Sequence, residues 1–174
     1  MIDKSIEFFG INVGILTISD TRNFHNDKSG LILKSLIEDY GHFCILRDIV
    51  KDEPTKLLLV LNKWINNKNL DVIITSGGTG LTGRDITVDV LETFFDKKID
   101  GFGELFRFLS YKKIGTSTIQ SRAIAGTKKG KYIFCLPGSP SACKDAWEEI
   151  LKFQLDVRHK PCNFVEIMPR LNET

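Results

Sequence analysis

Leu70-Asp71-Val72-Ile73-Ile74-Thr75-Ser76-Gly77-Gly78-Thr79-Gly80-Leu81-Thr82-Gly83-Arg84-Asp85 is the run on which the fold class turns. Leu70 to Thr75 has the apolar, β-branched character of a strand. Gly77 to Gly83 is a turn dense in glycine, and Val90 to Phe95 takes up helical spacing beyond it. The alternation continues in both directions. Upstream, Ile11 to Ser19 reads as a buried strand, and Leu33, Leu36, Ile37 and Tyr40 share a helical face that Gly41 ends. Phe43 to Val50 is a second strand, and Pro54 opens a helix carrying Leu57, Leu61, Trp64 and Ile65. Downstream, Phe102, Leu105, Phe106 and Leu109 mark another helix. Arg122 to Thr127 and Lys131 to Leu136 are strands joined by Lys128-Lys129-Gly130, and a last helix from Ser139 buries Cys143, Ala146, Trp147, Ile150 and Leu151. Strands alternating with amphipathic helices predict an α/β layered fold.

The chain has 174 residues, 42% of them hydrophobic and 26% charged, which excludes a disordered or fibrous protein. With no linker, repeat or low-complexity segment, residues 1–174 read as a single domain with its own core. The net charge is +2 with the signs interspersed, so no nucleic-acid-binding coat is expected. Cys44, Cys135, Cys143 and Cys162 have no C-x-x-C spacing and read as reduced thiols; His25, His42 and His159 do not complete a zinc pattern. The apolar stretch Phe8 to Ile18 is flanked by Asp3 and Glu7 and lacks a cleavage site, so a strand explains it better than a signal peptide. No apolar run reaches the length of a membrane span. The expectation is a cytoplasmic protein with no membrane partner.

Polar residues collect at the carboxyl ends of four of these strands. The first strand hands over to Ser19-Asp20-Thr21, the second to Asp52-Glu53-Pro54, the third to Ser76-Gly77-Gly78-Thr79-Gly80 and the last to Pro137-Gly138-Ser139-Pro140. Ligands of open parallel sheets bind beyond the strand carboxyl ends, where turns and helix N-termini converge. Four glycines within seven positions, Gly77, Gly78, Gly80 and Gly83, exceed what a turn requires. Their N–H groups at a helix start make an anion site, phosphate above all. A P-loop would need Lys-Ser or Lys-Thr after Gly83, where Arg84-Asp85 stands. Gly78-x-Gly80-x-x-Gly83 satisfies the dinucleotide fingerprint as a string, yet it follows the third strand and lacks an acidic ribose partner, so a nicotinamide-dependent oxidoreductase is the weaker reading.

Ser139 and Pro140 fit an N-cap and a first helical residue, which by itself explains them. Asp52 and Asp85 could each cap a helix, but two carboxylates beside a phosphate loop are also what Mg²⁺ uses. Asp20 and Glu53 are weaker members of the same group. Arg84 and Arg122 are either phosphate binders or ion-pair partners. Phe108 and Tyr111 lie off the main apolar stripe of their helix and face either a partner subunit or a satellite core.

Taken together, Ser19-Asp20-Thr21-Arg22, Asp27-x-Ser29-Gly30, Thr75-Ser76-Gly77-Gly78-Thr79-Gly80, Arg84-Asp85-x-Thr87, Gly101-Phe102-Gly103-Glu104-Leu105-Phe106-Arg107, Ile114-Gly115-Thr116-Ser117-Thr118 with Gln120-Ser121-Arg122-Ala123, and Pro137-Gly138-Ser139-Pro140 resemble the MoaB/Mog family of molybdenum cofactor biosynthesis. Pro161-Cys162-Asn163-Phe164 resembles the tail of the MoaB branch. The resemblance runs from about Ile11 to Phe164. It implies a three-layer α/β/α molybdopterin-binding fold with a mostly parallel central sheet, assembled as a homotrimer or homohexamer. It further implies molybdopterin adenylyltransferase activity: the terminal phosphate of molybdopterin attacks the α-phosphorus of ATP and releases pyrophosphate, with Mg²⁺ required. On this pattern Asp52 and Asp85 are the catalytic and Mg²⁺-holding residues. Ser19, Asp20, Ser76, Gly77, Gly78, Thr79, Gly80, Arg84, Gly138 and Ser139 bind the substrates. Val88 stands where the family commonly has proline, a change that touches only preorganisation of a helix start. The alternative is a non-catalytic molybdopterin-binding or assembly protein of the same pathway.

Overall fold

The computed structural model describes residues 1–173. Its elements follow the predicted alternation: β1 (Asn12–Ile18), α1 (Lys28–Tyr40), β2 (Phe43–Val50), α2 (Pro54–Ile65), β3 (Val72–Ser76), α3 (Thr87–Phe94), β4 (Lys97–Lys98), α4 (Asp100–Ile114), β5 (Ile124–Lys128), β6 (Lys131–Leu136) and α5 (Pro140–Ala146). A 3-10 segment, Gly115–Gln120, follows α4. α5 continues through a π-helical turn, Trp147–Leu151, into α6 (Lys152–Gln154), and α7 (Phe164–Ile167) lies near the chain end. The strands form one sheet in the order β2-β1-β3-β6-β5-β4. β2, β1, β3 and β6 are parallel; at one edge β5 runs antiparallel to β6, and β4 antiparallel to β5.

Alternation along the strands builds two apolar layers. Val13 and Ile15 of β1, Val72 and Ile74 of β3, and Tyr132, Phe134 and Leu136 of β6 face one side. There they pack on Leu33 and Ile37 of α1, Phe102 and Phe106 of α4, and Cys143, Ala146 and Trp147. Leu16, Ile18, Ile73, Ile133 and Cys135 face the other side and meet Leu57, Leu61 and Trp64 of α2 and Val90, Leu91 and Phe94 of α3. Helices therefore cover both faces of a largely parallel sheet, an α/β/α sandwich. Four parallel strands point their carboxyl ends to the same rim. All four cysteines are free thiols. Among the described residues no helix is long and apolar enough to cross a membrane.

Element boundaries differ from the sequence reading in places with local causes. The third strand begins at Val72 because Leu70 is still in a turn, its N–H donating to Asn67 O at 3.2 Å. Lys128 belongs to β5, and only Lys129 and Gly130 form the hairpin turn, with φ of 46° and 77°. Positive φ at both central residues matches the twist of a two-residue hairpin. α3 starts at Thr87, ahead of the apolar spacing, because the Thr87 N–H donates to Gly78 O at 3.0 Å.

Candidate functional site

Each strand end arrives at the rim with a specific local device. After β1, Ser19 donates its N–H to Val50 O at 2.8 Å, which holds the ends of β1 and β2 together. Its Oγ accepts the N–H groups of Thr21 and Arg22 at 3.3 and 3.2 Å, a hydroxyl-closed turn that presents Arg22 to the rim. After β3, Gly77 donates to Leu136 O at 3.1 Å and so anchors the glycine loop to β6. Gly77 and Gly78 have φ of 105° and 62°, and a Cβ on Gly77 would lie 2.2 Å from Ile18 O. Only glycine fits there, because both the backbone conformation and the approach to β1 exclude a side chain. After β6, Ser139 caps α5, its Oγ accepting the Ala142 N–H at 3.2 Å with Pro140 in the first turn.

These devices surround a cavity of about 530 Å³ lined by Ile18, Ser19, Thr21, Arg22, Asp52, Gly77 to Gly80, Arg84, Asp85, Gly138 and Ser139. Its size suits a small-molecule ligand. The N–H groups of Gly78 and Thr79 donate to no acceptor among the described residues, which leaves them available to an anion. Ser76 and Asp20 do not line the cavity. The Ser76 side chain is buried beside the Cys143 thiol, Oγ to Sγ 3.4 Å, on the apolar side of the strand end. Asp20 instead pairs with Arg84 at the cavity margin.

The three carboxylates differ because their surroundings differ. Asp85 Oδ2 accepts the Thr82 N–H at 3.0 Å and the Thr82 hydroxyl at 2.6 Å. Those bonds, with the Gly80 amide, hold Asp85 below the usual carboxylate range. Asp20 is lowered chiefly by its hydrogen bond to Arg84. Asp52 is raised, first by burial and then by the neighbouring charges of Asp20 and Asp85. Its Oδ1 is buried with no hydrogen-bond partner. An unpaired carboxylate oxygen among like charges favours a cation or a donor at that point.

The arginines also sort themselves. Arg84 is tied to Asp20. Arg122 donates Nη1 to Gly80 O at 3.1 Å and Nη2 to Asp89 at 2.6 Å, bracing the outside of the glycine loop. Arg22, which the sequence reading placed in a motif without a role, lines the cavity and donates to Asn26 O at 3.3 Å. It pairs with no carboxylate among the described residues. The Ser19 turn, with Ser three positions before an arginine, is the sequence signal that could have found it.

A family model described as "Probable molybdopterin binding domain" matches residues 14–157. Molybdenum cofactor biosynthesis protein B of Escherichia coli (strain K12) is 42% identical over 164 residues, covering 94% of this chain and 96% of that protein. A crystal structure of molybdenum cofactor biosynthesis protein B superposes with a TM-score of 0.82 at 40% identity, covering 84% of this chain and 92% of the other. The tungsten cofactor synthesizing protein MoaB from Pyrococcus furiosus superposes with a TM-score of 0.73 at 34% identity, covering 82% and 91%. The chain belongs to this molybdopterin-binding family. Within that family's sandwich, the glycine string is not a dinucleotide fingerprint in structural terms. The third glycine of such a fingerprint permits close helix-to-strand packing, whereas a Cβ on Gly83 would meet nothing within 4 Å.

Proposed function

We propose that this molybdopterin-binding family member catalyses Mg²⁺-dependent adenylyl transfer from ATP to molybdopterin, with residues 1–174 acting as one cytoplasmic domain. An oxygen of the terminal phosphate of molybdopterin bonds to the α-phosphorus of ATP as the bond from that phosphorus to the β-bridging oxygen breaks, and pyrophosphate leaves with the electron pair. Such displacements depend on positioning and charge neutralisation more than on covalent help. The glycine-loop amides of Gly78 and Thr79 would hold phosphate oxygens, Ser19, Gly138 and Ser139 would border the substrates, and Arg22 supplies a cavity-lining positive charge.

The observation that carries this reading is Asp52, a half-buried carboxylate that lines the cavity beside two further acidic groups and free backbone donors. These residues fit Mg²⁺. Among the described residues no three His, Cys, Asp or Glu side chains form an all-protein metal cage, and Mg²⁺ does not need one: it takes one or two carboxylates with waters and substrate phosphates. Asp52 and Asp85 would hold the ion, which supplies neutralisation of phosphate charge. The assembly that goes with this reading is a homotrimer or homohexamer. It is supported by the exposed apolar side chains Leu105, Phe108, Tyr111 and Ile114 on α4 and Ile119 beyond it.

The test is pyrophosphate release on mixing the protein with molybdopterin, ATP and Mg²⁺. Release that requires all three is the expected result. Background release with pterin binding intact would replace the transferase by the non-catalytic carrier.

A further inference from the structure

Thr87 carries a fully buried hydroxyl, and its Oγ1 has no hydrogen-bond partner. Asp52 Oδ1, beside the glycine loop, is likewise buried without a partner. The two crowd the same point: a Cβ built on Gly78 would stand 2.2 Å from Thr87 Oγ1 and 2.5 Å from Asp52 Oδ1. One is a rotatable donor and the other an acceptor. Gly78 is the residue that leaves the space between them open, and Thr87 is fixed to it through the 3.0 Å bond from its N–H to Gly78 O. Hydrogen bonds around a reacting centre are often unformed before substrate binds and tighten in the loaded complex.

We propose that Thr87 is the positioning residue of Asp52: its hydroxyl donates to Asp52 Oδ1 in the substrate-loaded protein and directs Oδ2 into the cavity. The inference rests on the reading of Asp52 as a cation-holding carboxylate. It adds that the glycine loop, α3 and the end of β2 are coupled through this one hydroxyl. Partners that orient a metal-binding side chain typically change metal affinity or turnover 10- to 100-fold when removed.

The experiment measures Mn²⁺ affinity by electron paramagnetic resonance in the presence of ATP, together with kcat and KM, in T87V, T87A, T87S and D52N. T87V keeps the shape and removes the donor; T87A tests the same loss if the valine disturbs the loop. Both are expected to weaken Mn²⁺ binding about 10-fold and lower kcat at least as much, with KM for ATP changed less than threefold, while T87S restores both. Mn²⁺ affinity and kcat within twofold of the parent in T87V and T87A, or failure of T87S to recover, would overturn the role of Thr87 provided D52N loses both properties. If D52N itself keeps Mn²⁺ affinity and turnover, the reading of the site fails, and the inference with it.

Discussion

Asp85 and Asp52 show how one rim gives two carboxylates different states. Asp85 is held charged by Thr82 and stands in the glycine loop, away from the apolar layers. Replacing it with alanine is expected to lower pyrophosphate release by at least about 100-fold, the scale on which a preorganised charge acts. The change in folding free energy should stay near 1 kcal/mol, the worth of one or two hydrogen bonds in a solvated loop. Paired rate assays and urea unfolding check this, and full turnover in the variant contradicts the assigned role. The arginines provide a sharper comparison. Arg84 is neutralised by Asp20, whereas Arg22 faces the cavity without an acidic partner. Arg22→Ala should raise the KM for a phosphate-bearing substrate about 10-fold, corresponding to the loss of one charge-assisted hydrogen bond. Arg84→Ala should change it by less than threefold. The reverse order would show that Arg84 leaves Asp20 for the substrate.

At the scale of elements, the junction of α1 and β2 contains a titratable group inside an aromatic box. His42 is buried against Phe8, Tyr40 and Trp147, with ring centroids 5.3, 5.5 and 5.9 Å away. Its Nδ1 accepts the Ile11 N–H at 3.2 Å, so the neutral ring carries its proton on Nε2. Burial lowers its pKa to about 4, against a smaller opposing effect of Asp156. Asp156 is itself bound by Arg158 and by the Tyr40 hydroxyl. The unfolded chain therefore takes up a proton near pH 6.5 that the native box refuses. This contribution is present above pH 6.5 and is lost as pH falls towards 4, by a total on the order of 3 kcal/mol. Urea unfolding at pH 7 and pH 5 should show the parent protein losing stability relative to His42→Phe. An equal difference at both pH values rules out His42 as the source. α4 was only half legible for a related reason. Phe102 and Phe106 form its buried stripe and Phe108 and Tyr111 stand off it, as their spacing implies, but Leu105, which shares the spacing of the stripe, is exposed.

For the whole molecule, that exposed set matters most. Phe108 is 63% and Ile119 78% solvent-accessible in the single chain, and apolar side chains clustered in this way mark interaction surfaces. If they form the proposed subunit interface, size-exclusion chromatography with light scattering will give three or six times the 19.7 kDa chain mass. Phe108→Lys is then expected to shift the distribution towards monomer without unfolding it. A monomeric parent protein removes the assembly from the proposal.

The amino-acid sequence by itself determined the layers and the rim. Leu70 to Thr75, Ile11 to Ser19 and Lys131 to Leu136 are apolar enough to be central strands in any arrangement, and Pro54, Gly41 and Ser139 mark helix ends through backbone chemistry that acts within a few residues. Only the tertiary structure decided how the polar groups pair. Lys97 and Lys98 become a strand solely because β5 lies beside them. Arg84 is claimed by Asp20, 64 positions away, and Ser76 turns to Cys143 rather than to the cavity. Thr87 Oγ1 and Asp52 Oδ1 are brought together around Gly78 by three separate segments. Local patterns are fixed by covalent geometry and burial, which neighbouring residues already encode, whereas a hydrogen bond or ion pair depends on distances that exist only once the sheet has set them.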